Sequence, residues 1–201
     1  VYARTGWFRD AGIDADVSVS PRGAGGMCVL PGPEPIDVSE SSASVVGNDA
    51  SITLPNTDTQ TNLQFVDPCM QFLEDGTISA WELNALNAGT VRLQVWRPSG
   101  ASKSHAVCGS GASDEYTLVG ETLVTVSSAS KQTHYRHPLR NVDYITVRKN
   151  DVIGWSHGNQ GIISYGDATG GKTVFRTTGA SAAIGDTLNP GTQERANKYA
   201  I

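Results

Sequence analysis

The sequence predicts an all-β chain: an antiparallel β-sandwich of jelly-roll type with an extended N-terminal arm. Three observations carry that prediction. Apolar and polar residues alternate at period two in many short runs, turn residues separate the runs, and no segment holds a convincing 3.6-residue repeat. A length of 201 residues with 38% apolar content suffices for one all-β domain with a real core.

The first element is the arm. Residues 12–20 read GIDADVSVS, with Ile13, Ala15, Val17 and Val19 on one face and Asp14, Asp16, Ser18 and Ser20 on the other. That is a strand with one dry face and one wet face. Tyr2, Trp7 and Phe8 are expected to anchor the arm. Residues 21–35 hold four Pro and four Gly, a composition that excludes helix and central strand and spans roughly 50 Å when extended. The expected organisation is therefore an arm and Pro/Gly linker over 1–35 and a β-sandwich domain over 36–201.

The remaining strands are expected at 43–47, 50–54, 63–66, 77–86, 90–97, 116–126, 133–139, 142–148, 151–156, 162–165, 172–178 and 195–201. Turn residues such as Pro55-Asn56, Glu74-Asp75-Gly76, Pro98-Ser99-Gly100 and Asn150-Asp151 lie between them. Trp81, Leu83 and Ala85 share one face of 77–86, and Val91, Leu93 and Val95 share one face of 90–97. The short connection Asn87-Ala88-Gly89 suggests that the two form a central hairpin.

The stretches GTISAWELNALNAGTVRLQVWRPSG, YTLVGETLVTVSS and VRKNDVIGWSHGNQGIISYGD resemble a β-sandwich module of large extracellular proteins, including polycystin-like and other cell-surface proteins of invertebrates and protists. The resemblance covers about residues 63–167 and leaves 1–60 outside. Its marks are fold marks, so it implies an extracellular β-sandwich and no chemistry. An arm followed by such a module would also suit the protomer of an extracellular fibril.

Charge and composition narrow the function. Charged residues make up 17% of the chain and the net charge is −5, which leaves no footprint for nucleic acid or an anionic membrane. No apolar run is long enough to insert in a bilayer. The polar, weakly charged surface points to a secreted or cell-surface location, and the start at Val1 reads as a processed mature chain. Of Cys28, Cys69 and Cys108, none forms a CxxC or sits at metal-ligand spacing from a His. Three pairings are open, as is the fully reduced state. Cys69–Cys108 is favoured because both flank the strands of the central sheet, leaving Cys28 free or bridging to another chain. No Asn-x-Ser/Thr signal occurs, so glycans would be O-linked, and 17–61 is rich in Ser, Thr and Pro.

No catalytic motif is complete. Gly166 to Thr173 matches the phosphate-loop pattern, but the next residues, Val174 to Gly179, are β-branched and Gly-broken where a helix is required. His134 and His137 fall on opposite faces of a strand, and neither His105 nor His157 completes a set. Ser156-His157 lacks a nucleophile elbow. Asp10, Asp14 and Asp16, or Asp67 with Glu74 and Asp75, lack calcium-loop spacing. Trp96, Trp155 and Tyr165 are the candidate sugar platform. No enzyme activity, cofactor or metal is expected.

The leading expectation is a secreted structural protein that self-assembles head to tail into a filament, with copies of itself as partners and Ile13–Val19 as the donated strand. The competing placement of that strand is in the chain's own sandwich. The alternative function is a carbohydrate-binding or adhesive module of a larger extracellular protein.

Overall fold

The structure, a computed structural model, describes residues 3–5, 44–99, 115–128, 131–167, 174–179, 181–189, 194–195 and 197–201. Among them the chain is all-β and its sheets are antiparallel. The strands are β1 (Ala3–Thr5), β2 (Ser44–Val46), β3 (Leu63–Gln71), β4 (Gly76–Ile78), β5 (Ala80–Ala85), β6 (Gly89–Pro98), β7 (Tyr116–Val126), β8 (Thr133–Pro138), β9 (Ile145–Val147), β10 (Val152–His157), β11 (Tyr165–Asp167), β12 (Val174–Thr178), β13 (Thr187–Leu188), β14 (Glu194–Arg195) and β15 (Asn197–Tyr199). A 3-10 turn at Asn141–Asp143 precedes β9.

The largest sheet runs β13-β7-β6-β10-β3-β12-β14; a four-stranded sheet runs β2-β1-β4-β9; β5 pairs with β8 and β11 with β15. One core unites them. Phe65, Leu93, Val95, Ile153 and Trp155 come to it from the seven-stranded sheet, and Ile78, Trp81, Leu83, Val147 and Tyr199 from the smaller ones. A second cluster of Val66, Trp96, Tyr116, Leu118 and Val152 lies apart from it, covered in part by Ala182 and Leu188. The two clusters draw on alternate residues of β6 and β10, so both faces of the large sheet are dry at this end.

The expected hairpin of 77–86 with 90–97 does not form. The first stretch breaks at Ser79: β4 joins β1 and β9, while β5 joins β8. The second stretch, β6, pairs with β7 and β10. Asn87-Ala88-Gly89 is therefore a crossover between sheets. Leu86 and Asn87 both send their amides to the Ile162 carbonyl, and Asn87 Nδ2 donates to the Gly161 carbonyl at 2.9 Å. These bonds tie the turn to a third segment instead of closing it on itself. Strand 50–54 is also absent; it is turn and loop, with Asp49 Oδ1 accepting from Ser51 N and Oγ.

β3 runs past the expected end at residue 66 because a bulge absorbs Pro68. Its ladder to β10 passes from Asp67↔Ile153 to Gln71↔Val152, and the proline, which lacks an N–H, falls in the skipped stretch.

Residues 3–5 belong to a sheet. Ala3, Arg4 and Thr5 pair with Val46, Val45 and Ser44, and Thr5 also pairs with Ile78. Thr5 and Ser44, which flank residues 6–43 in the sequence, therefore stand opposite each other in one sheet. The expected arm strand Ile13, Ala15, Val17 and Val19, the anchors Tyr2, Trp7 and Phe8, and the 35/36 boundary lie outside the described residues.

Candidate functional site

Among the described residues β8 is a largely exposed strand. All six of its residues pair with β5, from Ala80↔Pro138 to Ala85↔Thr133. Its exposure alternates: Thr133, His134, Arg136 and Pro138 are exposed, with Tyr135 and His137 half-buried. Among the described strands, β5 is its one sheet neighbour. β5 owes its position to Trp81 and Leu83, both fully buried, and Trp81 Nε1 donates to Thr122 Oγ1 at 3.0 Å. Glu82, between them, points the other way and collects the charges of β8. His134 Nε2 lies 3.1 Å from one of its oxygens, and Arg136 Nε donates to the other at 3.2 Å. Tyr135 and His137, two residues apart on the same face, stack with centroids 6.5 Å apart.

At its far end the strand opens on a cleft of about 550 Å³ lined by Glu121, Leu123, His137, Pro138 and Arg140 among others. Leu123 is 55% exposed, and Val142, in the nearby 3-10 turn, is 85% exposed. A sheet edge flanked by uncovered aliphatic side chains is the kind of surface to which an extended segment adds as one more strand.

Several interior polar groups are engaged structurally. Arg97 Nε and Nη2 donate to the two Asp151 oxygens at 2.9 and 2.8 Å, and Arg148 N–H donates to the second oxygen at 2.8 Å. A polar row crosses the large sheet: Gln64 Nε2 donates to Gln94 Oε1 at 2.5 Å, Gln94 Nε2 to Glu121 at 3.4 Å, and Arg92 Nη1 to Glu121 at 2.6 Å. Tyr199 OH donates to Asp58 at 2.9 Å, and burial raises the phenol above its ordinary pKa. His157 Nδ1 donates to the Asn159 carbonyl at 2.6 Å, its Nε2 is buried without a partner, and burial lowers its pKa. Periodicity does not reveal these pairings, because each joins residues distant in sequence or set by a loop.

The expected sugar platform is not assembled. Trp96 is 0% and Trp155 1% exposed, and they belong to different core clusters. Trp155 stands opposite Leu93 and Trp96 opposite Val152, so the two indoles point to opposite faces of the sheet. Trp155 stacks on Phe65 at 4.8 Å and 13°, while Tyr165, half-buried, tilts against Tyr199 at 5.1 Å. These aromatics are packing residues.

Cys69 lies on β3; Cys108 and Cys28 fall outside the described residues, as does the proposed pairing. His105 and most of the phosphate-loop match do too, and β11, which opens that match, is antiparallel to β15. No three His, Cys, Asp or Glu among the described residues gather as a metal site. No described helix is long and apolar enough to cross a membrane. Set against known protein families, curated proteins and solved structures, the chain matches none.

Proposed function

We propose that the protein is an extracellular structural protein whose copies join head to tail, residues 13–19 of one copy adding to the β8 edge of the next. The observation that carries this reading is the outer side of β8, six residues long, largely exposed and without a neighbouring strand among the described residues. The donor is a strand by its sequence and has its apolar residues on one side. Leu123 and the adjoining cleft offer that side a place to bury. At ~25 cal/mol per Å², roughly 300–400 Å² of apolar surface supplies on the order of 8–10 kcal/mol before ordering costs.

The pairing of Thr5 with Ser44 changes the form of the proposal. The donor lies in the segment between these two positions. Its 38 residues allow the middle to reach about 60 Å out and back. Head-to-tail donation does not close unless the rotation makes a ring, so the product is a filament. The sheets sharing one core are read as a β-sandwich related to extracellular surface modules, non-enzymatic, with O-linked glycans on the Ser/Thr/Pro-rich 17–61 and a Cys69–Cys108 disulfide.

The test is sedimentation velocity over a concentration series. The chain is expected to polymerise as concentration rises, the variant I13S/V17S/V19S to stay monomeric, and L123K to polymerise less. Unchanged polymers in the triple variant, or a monomeric chain at every concentration, would end this reading.

A further inference from the structure

We propose that the cleft at the end of β6 binds the acidic group of a carboxylated or sulfated sugar unit. This cleft is separate from the β8 edge, and the inference holds whether or not copies polymerise. Its volume is about 530 Å³, within the range of small-ligand sites.

The cleft forms where the β6 end, the β7 start and the turn 148–151 meet. Arg97 pairs with Thr117 across β6 and β7, and Ser99 N–H donates to the Glu115 carbonyl at 2.7 Å. The turn is fastened on three sides. Lys149 N–H donates to Asp75 at 2.7 Å, Asn150 N–H to the Phe72 carbonyl at 2.8 Å, and Arg148 N–H to Asp151. Asn150 takes a φ of 76°, a left-handed conformation that Asn tolerates better than most residues. A rigid turn therefore holds two consecutive cations, Arg148 and Lys149, at the rim.

Charge is concentrated here against the trend of the molecule, whose net charge is −5. Arg148 and Lys149 are exposed, and neither side chain joins an ion pair among the described residues. On the cleft wall Arg97 is locked to Asp151 through Nε and Nη2; this pair is neutral overall, so the cationic surplus belongs to the rim. Asp75, whose carboxylate accepts from the Lys149 amide, keeps its negative charge and offsets one of the two rim cations, so the rim carries a net surplus of about one positive charge.

Ser99, in the lining, keeps its Oγ buried below the cleft surface. The rest of the lining distinguishes a sugar from a peptide. Pro98 and Val119 give an apolar surface for ring C–H groups, and Thr117 and Asn150 give neutral hydrogen-bonding groups for hydroxyls. A simple polyanion would need only the cations.

Isothermal titration of the full chain with a short oligogalacturonate, a sulfated galacto-oligosaccharide, its unsulfated counterpart and an oligoglutamate tests the proposal. At least one acidic sugar is expected to bind, more weakly as salt is raised; which one binds identifies the acid. R148Q/K149Q should lose about tenfold or more in affinity. R140Q, a cation at the other cleft, should bind like the parent. Binding of oligoglutamate as tight as that of the acidic sugars, unchanged binding by R148Q/K149Q, or no binding to either acidic sugar would overturn it.

Discussion

Trp96 and Gly154 meet across β6 and β10 with no room to spare: a Cβ on Gly154 would stand 2.6 Å from the indole Cδ1 and closer still to the Phe65 carbonyl oxygen. The glycine is thus the space that lets Trp96 lie over the sheet, where it anchors the second apolar cluster. G154A is expected to destabilise the fold by about 1–3 kcal/mol through overpacking, read by urea unfolding. In a W96L background, itself destabilised by the lost indole, the added cost of G154A should be smaller but not zero, because the backbone oxygen remains.

Asp151 is 1% exposed on its side chain and accepts three N–H groups, two from Arg97 and one from the Arg148 amide. D151A would leave the guanidinium without its counter-charge and the amide without its acceptor. Breaking a buried pair from one side costs about 3–5 kcal/mol; with the Arg97 side chain 30% exposed, water offsets part of this and the lower end is expected. The same unfolding measurement checks it.

His157 gives a pH dependence of known sign. Burial holds its pKa below the ordinary 6.5, so the unfolded chain takes up a proton more readily than the folded one. The stabilisation is fully present above about pH 6.5 and is lost as pH falls from there toward the depressed folded value. The melting temperature should drop between pH 7 and pH 5, and H157Q should flatten that drop.

Tyr199 acts at the other end of the scale. Its phenol is held protonated by burial and by Asp58 beside it, so its contribution is complete below about pH 10 and fades as alkali ionises the unfolded chain. Absorbance titration should show a tyrosine step that appears only on unfolding. Y199F should remove that step and cost about 1–2 kcal/mol at neutral pH through the lost bond to Asp58.

Much of the strand pattern was legible in the residues, and the pairing was not. Trp81, Leu83 and Ala85, like Val91, Leu93 and Val95, alternate as a half-buried strand should, and all six are buried in the same core. Alternation, however, reports which face is dry and says nothing about whether two dry faces lie side by side in a sheet or look at each other across a core. That is why an apparent hairpin turned out to be a crossover. Trp96 misled for a related reason: set among Arg92 and Gln94 it looked solvent-facing, yet Val66, Leu118 and Val152 bury it. Nor could Ala3–Thr5 be recognised as a strand, since three residues carry no period and their partners lie some forty positions on. The β8 edge was in the expected 133–139 strand, but its openness depends on topology.

Ala3 and Ile201 are held by one short stretch. Ala3 pairs with Val46, and two residues later the Asn48 N–H donates to the carbonyl of Ile201 at 2.8 Å. Points two residues apart on a strand are separated by about 7 Å, a gap that a few glycines and serines can cross. A circular permutant, sealed there and reopened at the exposed turn beside Val142, should therefore keep its circular-dichroism spectrum and melt near the parent temperature.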